Sequence, residues 1–452
     1  MSDSYSNVNP CHMCMPMGSV LAFRGLESCM PIFHGSQGCS TYMRLYLAHH
    51  FREPVDIASS ALSEKGAVYG GSANLKKGLK NLIHGYKPKA IGVATTCLAE
   101  TIGDDVGQII REFQQEEPLA RGLPIIHVAT PSYRGSHEEG YANALQAIVQ
   151  QTVADLPPRD RLNRSKLYRR RSNSSSLNLI LGTAVSPADV RYLKSMLRAW
   201  GLELDVTILP DISETFDAPL SPGLSMMPEG GTPLADVARM GLSRQTITLG
   251  GRFQESSAGA YLEERFGVPN TVLPLSIGLE NSDRFVSEVE RATDMALPRE
   301  YELERGRLLD TMVDVHKYLA EVRAAIFGDT EMAIGLAKLL CEVGAVPAIV
   351  ATGSKSPGFI EAVRSISPGS KALAGVDFSD IQAEVKKSEI EILIGTSNGR
   401  QISKAERIPL VRVGLPCSDR VGAGRQLTIG YEGAGRLLDT LANTLMEGDS
   451  RR

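Results

Sequence analysis

Strand-like runs, most of them predominantly apolar, recur along the chain and end in or beside glycine, proline or threonine. They occupy residues 90–96, 123–130, 177–182, 201–209, 324–329, 347–351 and 390–395. A run that is apolar at every position, rather than at alternate ones, predicts a strand covered on both faces, the environment of a parallel sheet. Stretches with helical spacing alternate with these runs. Residues 75–84 form an amphipathic pattern, Ser186-Pro187 opens a helix expected to reach Trp200, and a charged helix is expected from 299 to about 322. Another covers 331–343 and stops at Gly344, since proline suits a first helical turn and glycine an end. Strand alternating with helix predicts an α/β chain of doubly wound parallel sheets.

At 452 residues the chain exceeds what one core supports, so domains of about 150 residues are expected. The alternation breaks at 157–176, where Pro157-Pro158 gives way to Arg169-Arg170-Arg171 and Ser174-Ser175-Ser176. We read that segment as a solvated linker. Expected domains are then 1–158, 177–298 and 320–452, with a Gly/Pro-rich loop at 223–235. A net charge of −4 and a pI near 6.1 leave no electrostatic footprint for nucleic acid. No apolar run reaches the length of a membrane span, and residues 1–9 are polar, so neither anchor nor signal peptide is expected and the compartment is the cytoplasm. In a reducing compartment, clustered cysteines bind metal or do redox work rather than form disulfides.

Four of the seven cysteines, Cys11, Cys14, Cys29 and Cys39, fall within residues 11–39. Cys14, Cys39 and Cys97 stand among Gly, Pro and Thr and are expected in turns rather than on apolar helix faces. Cys97 closes the run at 90–96 and Ser132 follows the run at 123–130, so two strand ends deliver them to one sheet edge, where open α/β sheets build their sites. Gly35-Ser36-Gln37-Gly38 lets backbone N–H groups approach a sulfide near Cys39, and iron–sulfur potentials depend on such hydrogen bonds. Cys11-x-x-Cys14 lacks a second C-x-x-C, which leaves a zinc ribbon incomplete. Pro10 and Pro16 bracket that pair, unlike a thioredoxin-type motif that follows a strand and opens a helix. Three cysteines fall short of the four a conventional cluster takes, which points to completion by a second subunit or a non-thiolate ligand. Cys29, Cys341 and Cys417 are expected to be structural thiols, and His12, His34 and His50 hydrogen-bond donors rather than ligands. No G-x-G-x-x-G or Walker sequence is present, so any ATP is hydrolysed by another protein.

Asn9-Pro10, Cys14-Met15-Pro16-Met17-Gly18, His34-Gly35-Ser36-Gln37-Gly38-Cys39, His50-Phe51-Arg52-Glu53-Pro54, Val68-Tyr69-Gly70-Gly71, Thr95-Thr96-Cys97-Leu98-Ala99-Glu100 and Thr130-Pro131-Ser132-Tyr133-Arg134-Gly135-Ser136-His137 resemble the β-type subunits of nitrogenase component 1. The likeness continues through Phe327-Gly328-Asp329 and Ile394-Gly395-Thr396-Ser397-Asn398-Gly399 to Ile429-Gly430-Tyr431-Glu432-Gly433. That family includes the catalytic β subunit and its paralogue in the cofactor-assembly scaffold. The resemblance implies three Rossmann-like domains and an α2β2 assembly with an α-type partner. It implies Cys14, Cys39 and Cys97 as ligands of the β half of an eight-iron P-cluster, or of a four-iron cluster shared with that partner. Ser132 matches an oxidation-dependent ligand. Tyr69, where other members carry Phe, matches the surface on which the ATP-hydrolysing iron protein docks, and Tyr42 lies between the cluster and the partner's cofactor. Two functions stay open: an electron-relaying subunit of a nitrogenase-like reductase, which the full cysteine set resembles, and a cofactor-maturing scaffold, which Cys11 and Asp419-Arg420-Val421-Gly422 resemble.

Overall fold

The computed structural model describes residues 11–153, 176–202, 205–220, 223 and 226–449. All but the last residue of the linker expected at 157–176 lies outside them. Three sheets organise the rest. β1 (Cys29–His34), β2 (Ala58–Ser59), β3 (Ala90–Thr95) and β4 (Ile125–Val128) run in the order β2-β1-β3-β4. β5 (Leu177–Leu181), β6 (Val206–Leu209), β7 (Gln245–Leu249) and β8 (Asn270–Leu273) run β6-β5-β7-β8. β9 (Arg323–Phe327), β10 (Val346–Thr352), β11 (Lys371–Ala374), β12 (Ile392–Gly395) and β13 (Leu410–Arg412) run β11-β10-β9-β12-β13. Every pairing is parallel. Each sheet is wound outward from its first strand in both directions, so the chain diverges at the carboxyl ends of β1 and β3, of β5 and β7, and of β9 and β12. Open α/β sheets bind ligands at such switch points.

The central strands are buried along their length, and their sequences are mostly apolar, with the buried exceptions His34, Thr95 and Asn178 hydrogen-bonded. Two expected strands begin late. The run at 201–209 pairs only from Val206, because Gly201 turns the chain at φ +74°. The run at 123–130 pairs from Ile125, after Pro124, which has no N–H to give a ladder. The loop expected at 223–235 gives way to the helix Leu234–Arg239.

Helices α1 (Met15–Arg24), α2 (Gln37–Phe51), α3 (Glu64–Tyr69), α4 (Ser72–Tyr86), α5 (Cys97–Ile102), α6 (Val106–Glu116) and α7 (His137–Thr152) belong with the first sheet. All ten residues of α1 are buried. Its approach to α7 requires two glycines: a Cβ on Gly18 would stand 1.8 Å from the His137 carbonyl oxygen, and one on Gly140 1.9 Å from that of Met15. This close contact sets the position of Cys14 at the start of α1. Among the described residues, no helix is long and apolar enough to cross a membrane.

Candidate metal centre

The first switch point carries the thiols. β1 ends at His34, and Cys39 is the third residue of α2; β3 ends at Thr95, and Cys97 is the first residue of α5. Cys14 is the residue that precedes α1. The expectation that these cysteines lie in turns is therefore corrected: all three stand at helix starts. Ser36 and Thr96 are extended just before their helices, and Pro16 sits in the first turn of α1, so turn-forming residues here serve as helix entries.

Backbone and hydroxyl contacts draw the three loops together. The Ser132 N–H donates to Cys97 Sγ at 3.3 Å, and Ser132 Oγ accepts the Met15 N–H at 3.2 Å, so one residue touches both the Cys97 and the Cys14 loops. Cys14 also bridges Ser136 in antiparallel fashion. Thr130 is stapled to the end of β3 by its N–H on Thr95 Oγ1 at 3.1 Å and its hydroxyl on the Thr95 carbonyl at 2.7 Å. A Cβ on Gly35 would lie 1.9 Å from Thr96 Oγ1, so only glycine lets the Cys39 loop come this near the Cys97 loop.

Cys14 is exposed, whereas Cys39 and Cys97 are half-buried. Burial pushes the Cys39 thiol above its ordinary pKa; the Ser36 hydroxyl opposes this, and the nearby Cys97 and Cys14 add to it. The three sulfurs thus share one electrostatic field, and bound cations would relieve it. Among the described residues, no three His, Cys, Asp or Glu groups converge closely enough to hold a single ion. Tyr42 and Tyr46 follow Cys39 at spacings that place them on its flank of α2, and both are exposed, Tyr42 by 65%.

The remaining thiols differ. Cys29 and Cys417 are buried and pushed up to about 12 by burial, and burial raises buried Cys11 as well. Cys341 is half-buried on the helix Thr330–Glu342. His50 accepts the Cys417 N–H at 3.0 Å through Nδ1, His34 lies between Ser60 and Asp104, and His12 leaves Nδ1 buried without a partner. Tyr69 is 82% exposed at the end of α3. Sequence reasoning missed His137, whose Nδ1 accepts the Met13 N–H at 3.2 Å while its Nε2 lies 2.9 Å from Asp329 Oδ1. That pair ties the Cys14 loop to the third sheet across 192 residues, a separation at which no local pattern links the two.

Residues 14–446 match the family model described as nitrogenase component 1 type oxidoreductase. The chain belongs to that family. It is 39% identical to the nitrogenase molybdenum-iron protein beta chain of Methanococcus maripaludis, over 97% of this chain and 94% of the relative. It is 35% identical to the nitrogenase vanadium-iron protein beta chain of Trichormus variabilis, with the same coverage. The solved structure titled nitrogenase Cp1 at pH 6.5 superposes with a TM-score of 0.92 at 34% identity, covering 100% of this chain and 96% of that one. Among nitrogenase component 1 type chains, then, the likeness extends through all three sheets and through the loops that carry the thiols.

Proposed function

We propose that this chain is the β-type subunit of a nitrogenase-like reductase. In this reading it relays electrons from an ATP-hydrolysing iron protein, through an iron–sulfur cluster of P-cluster type, to a cofactor held by an α-type partner in an α2β2 assembly in the cytoplasm. The observation that carries the reading is the gathering of Cys14, Cys39 and Cys97 at a switch point open to the surface, with Ser132 joining the Cys97 and Cys14 loops. The residues present fit half of such a cluster: soft sulfur donors at helix starts and glycines where backbone must come close. Cys14, Cys39 and Cys97 would hold the β half, with Ser132 as the adjoining oxygen donor. When bound, the cluster supplies reversible electron storage.

The chain's own groups do the rest. The Ser132 N–H on Cys97 Sγ stabilises negative charge on that sulfur. Tyr42, Leu45 and Tyr46 present an exposed apolar flank beside Cys39, suited to a partner that excludes water from the thiols. Tyr69 offers an aromatic surface to the iron protein.

The scaffold reading rests on Cys11 and on the stretch Asp419-Arg420-Val421-Gly422-Ala423-Gly424-Arg425. Cys11 is buried, and its backbone packs on Gly353, where a Cβ would lie 2.4 Å from the Cys11 carbonyl carbon. The named relatives at 39% and 35% identity are β chains of molybdenum–iron and vanadium–iron proteins. The deciding experiment supplies the purified assembly with iron protein, ATP and reductant. Many cycles of proton reduction support the relay; an iron-loaded assembly that does not turn over yet activates an apo-reductase replaces it with the scaffold.

A further inference from the structure

The three switch points have different contents. The thiols stand at β1/β3. At β9/β12, Cys11, His12 and Met13 pack over Gly328-Asp329 and Thr396 and leave a cavity of only about 10 Å³. At β5/β7 a crevice of about 40 Å³ remains open.

The carboxyl ends of β5 and β7 form its floor. Gly250 and Gly251 turn the chain off β7 at φ +85° and +80°, conformations that side chains with a Cβ rarely adopt. Glu138 of α7 and Glu331 of the helix Thr330–Glu342 wall it from the directions of the other two sheets, and both are buried, at 3% and 6% exposure. Gln254 Oε1 is also buried there and has no hydrogen-bond partner among the described residues. A buried acceptor in that condition lacks what a ligand N–H would supply.

The charges point the same way. Glu331 is matched by Arg252, which gives it a backbone N–H at 2.8 Å and Nη2 at 3.2 Å. Glu138 accepts only uncharged donors, the Ser354 hydroxyl at 2.7 Å and the Thr330 N–H at 3.2 Å, while neighbouring His137 is committed to Asp329. The same lining therefore holds a buried carboxyl whose nearest cation, His137, is shared with Asp329, and one acceptor with no donor. We propose that it binds a small organic cation of the guanidinium or amidinium class, with N–H groups on Gln254 Oε1 and its charge set against Glu138. This site is separate from the thiol centre and does not depend on the relay reading.

Isothermal calorimetry on the assembled protein tests it, with guanidinium kept well below denaturing concentrations and tetramethylammonium as a cation without N–H groups. Saturable binding of guanidinium and none of tetramethylammonium is expected. Gln254→Leu removes the unpartnered acceptor, so it should fold at least as stably as the parent and weaken guanidinium binding by at least roughly tenfold. Glu138→Gln should weaken it to a similar degree. Absence of saturable guanidinium binding, equal binding of both cations, or unchanged affinity in a folded Gln254→Leu protein would overturn the proposal.

Discussion

His34 Nε2 lies 2.9 Å from Asp104 Oδ2, and the same carboxylate accepts the Gly71 N–H at 3.0 and 3.1 Å through its two oxygens. Burial holds the imidazole below its ordinary pKa, so Nε2–H donates to Asp104 and Nδ1 accepts from Ser60. That hydroxyl oxygen in turn receives the Gly35 N–H at 3.0 Å. One hydrogen-bonded chain thus joins the loop before Cys39 to the Gly70-Gly71 bend beside Tyr69. Asp104→Ala strands His34 and the Gly71 N–H together and should destabilise the protein by roughly 1–3 kcal/mol. Thermal unfolding of the two proteins checks this; an unchanged midpoint would show that the bridge is incidental.

Replacing Tyr69 by Glu addresses the surface rather than the frame. Its side chain is almost fully exposed, so iron content and stability should not change. Iron-protein-dependent turnover should fall, because a charge would be desolvated on docking. Parallel assays of bound iron and turnover read the two effects apart, and full turnover would remove Tyr69 from the docking surface.

Much of this architecture is legible in the amino-acid order. β3, β5, β9 and β12 follow from mostly apolar runs, because a strand covered on both faces leaves few polar positions; Asn178 in β5 is a buried exception, held by Met240 and Thr246. The helix starts at Cys14 and Cys39 are not legible in that way, since the prolines and glycines that open a helix are the residues that make turns. Neither is the His137–Asp329 pair, because nothing local couples positions brought together only by the packing of α1 on α7. Cys97 and Ser132 were placed at one edge by their strand ends alone, and the Ser132 N–H on Cys97 Sγ is the contact that joins them.

The apolar flank beside the thiols has a consequence for assembly. Expressed alone under anaerobic conditions, the chain should aggregate or retain little iron, since Tyr42, Leu45 and Tyr46 stay exposed and the thiolates go uncompensated. Co-expression with an α-type partner should yield an α2β2 species by light scattering. A well-behaved monomer carrying a full complement of iron would contradict the shared centre.

His50 makes acid stability a local question. Burial, opposed by the Asp329 carboxylate, lowers its pKa from 6.5 to about 4. Between those values the unfolded chain binds a proton that the folded one refuses, so stability falls as pH drops through that window, by up to roughly 3 kcal/mol. His50→Asn keeps an acceptor for Cys417 without titrating there. Denaturant unfolding from pH 7 to pH 4 should show a gentler decline in the variant; parallel curves would mean that His50 is protonated in the folded state.

The most direct measurement is iron analysis of the assembled protein across single cysteine variants. Cys14→Ala, Cys39→Ala and Cys97→Ala should each lose most of the cluster iron, while Cys29→Ala, Cys341→Ala and Cys417→Ala should keep it. Equal loss across all six, or retention in the first three, would contradict the assignment of the centre to the switch point of the first sheet.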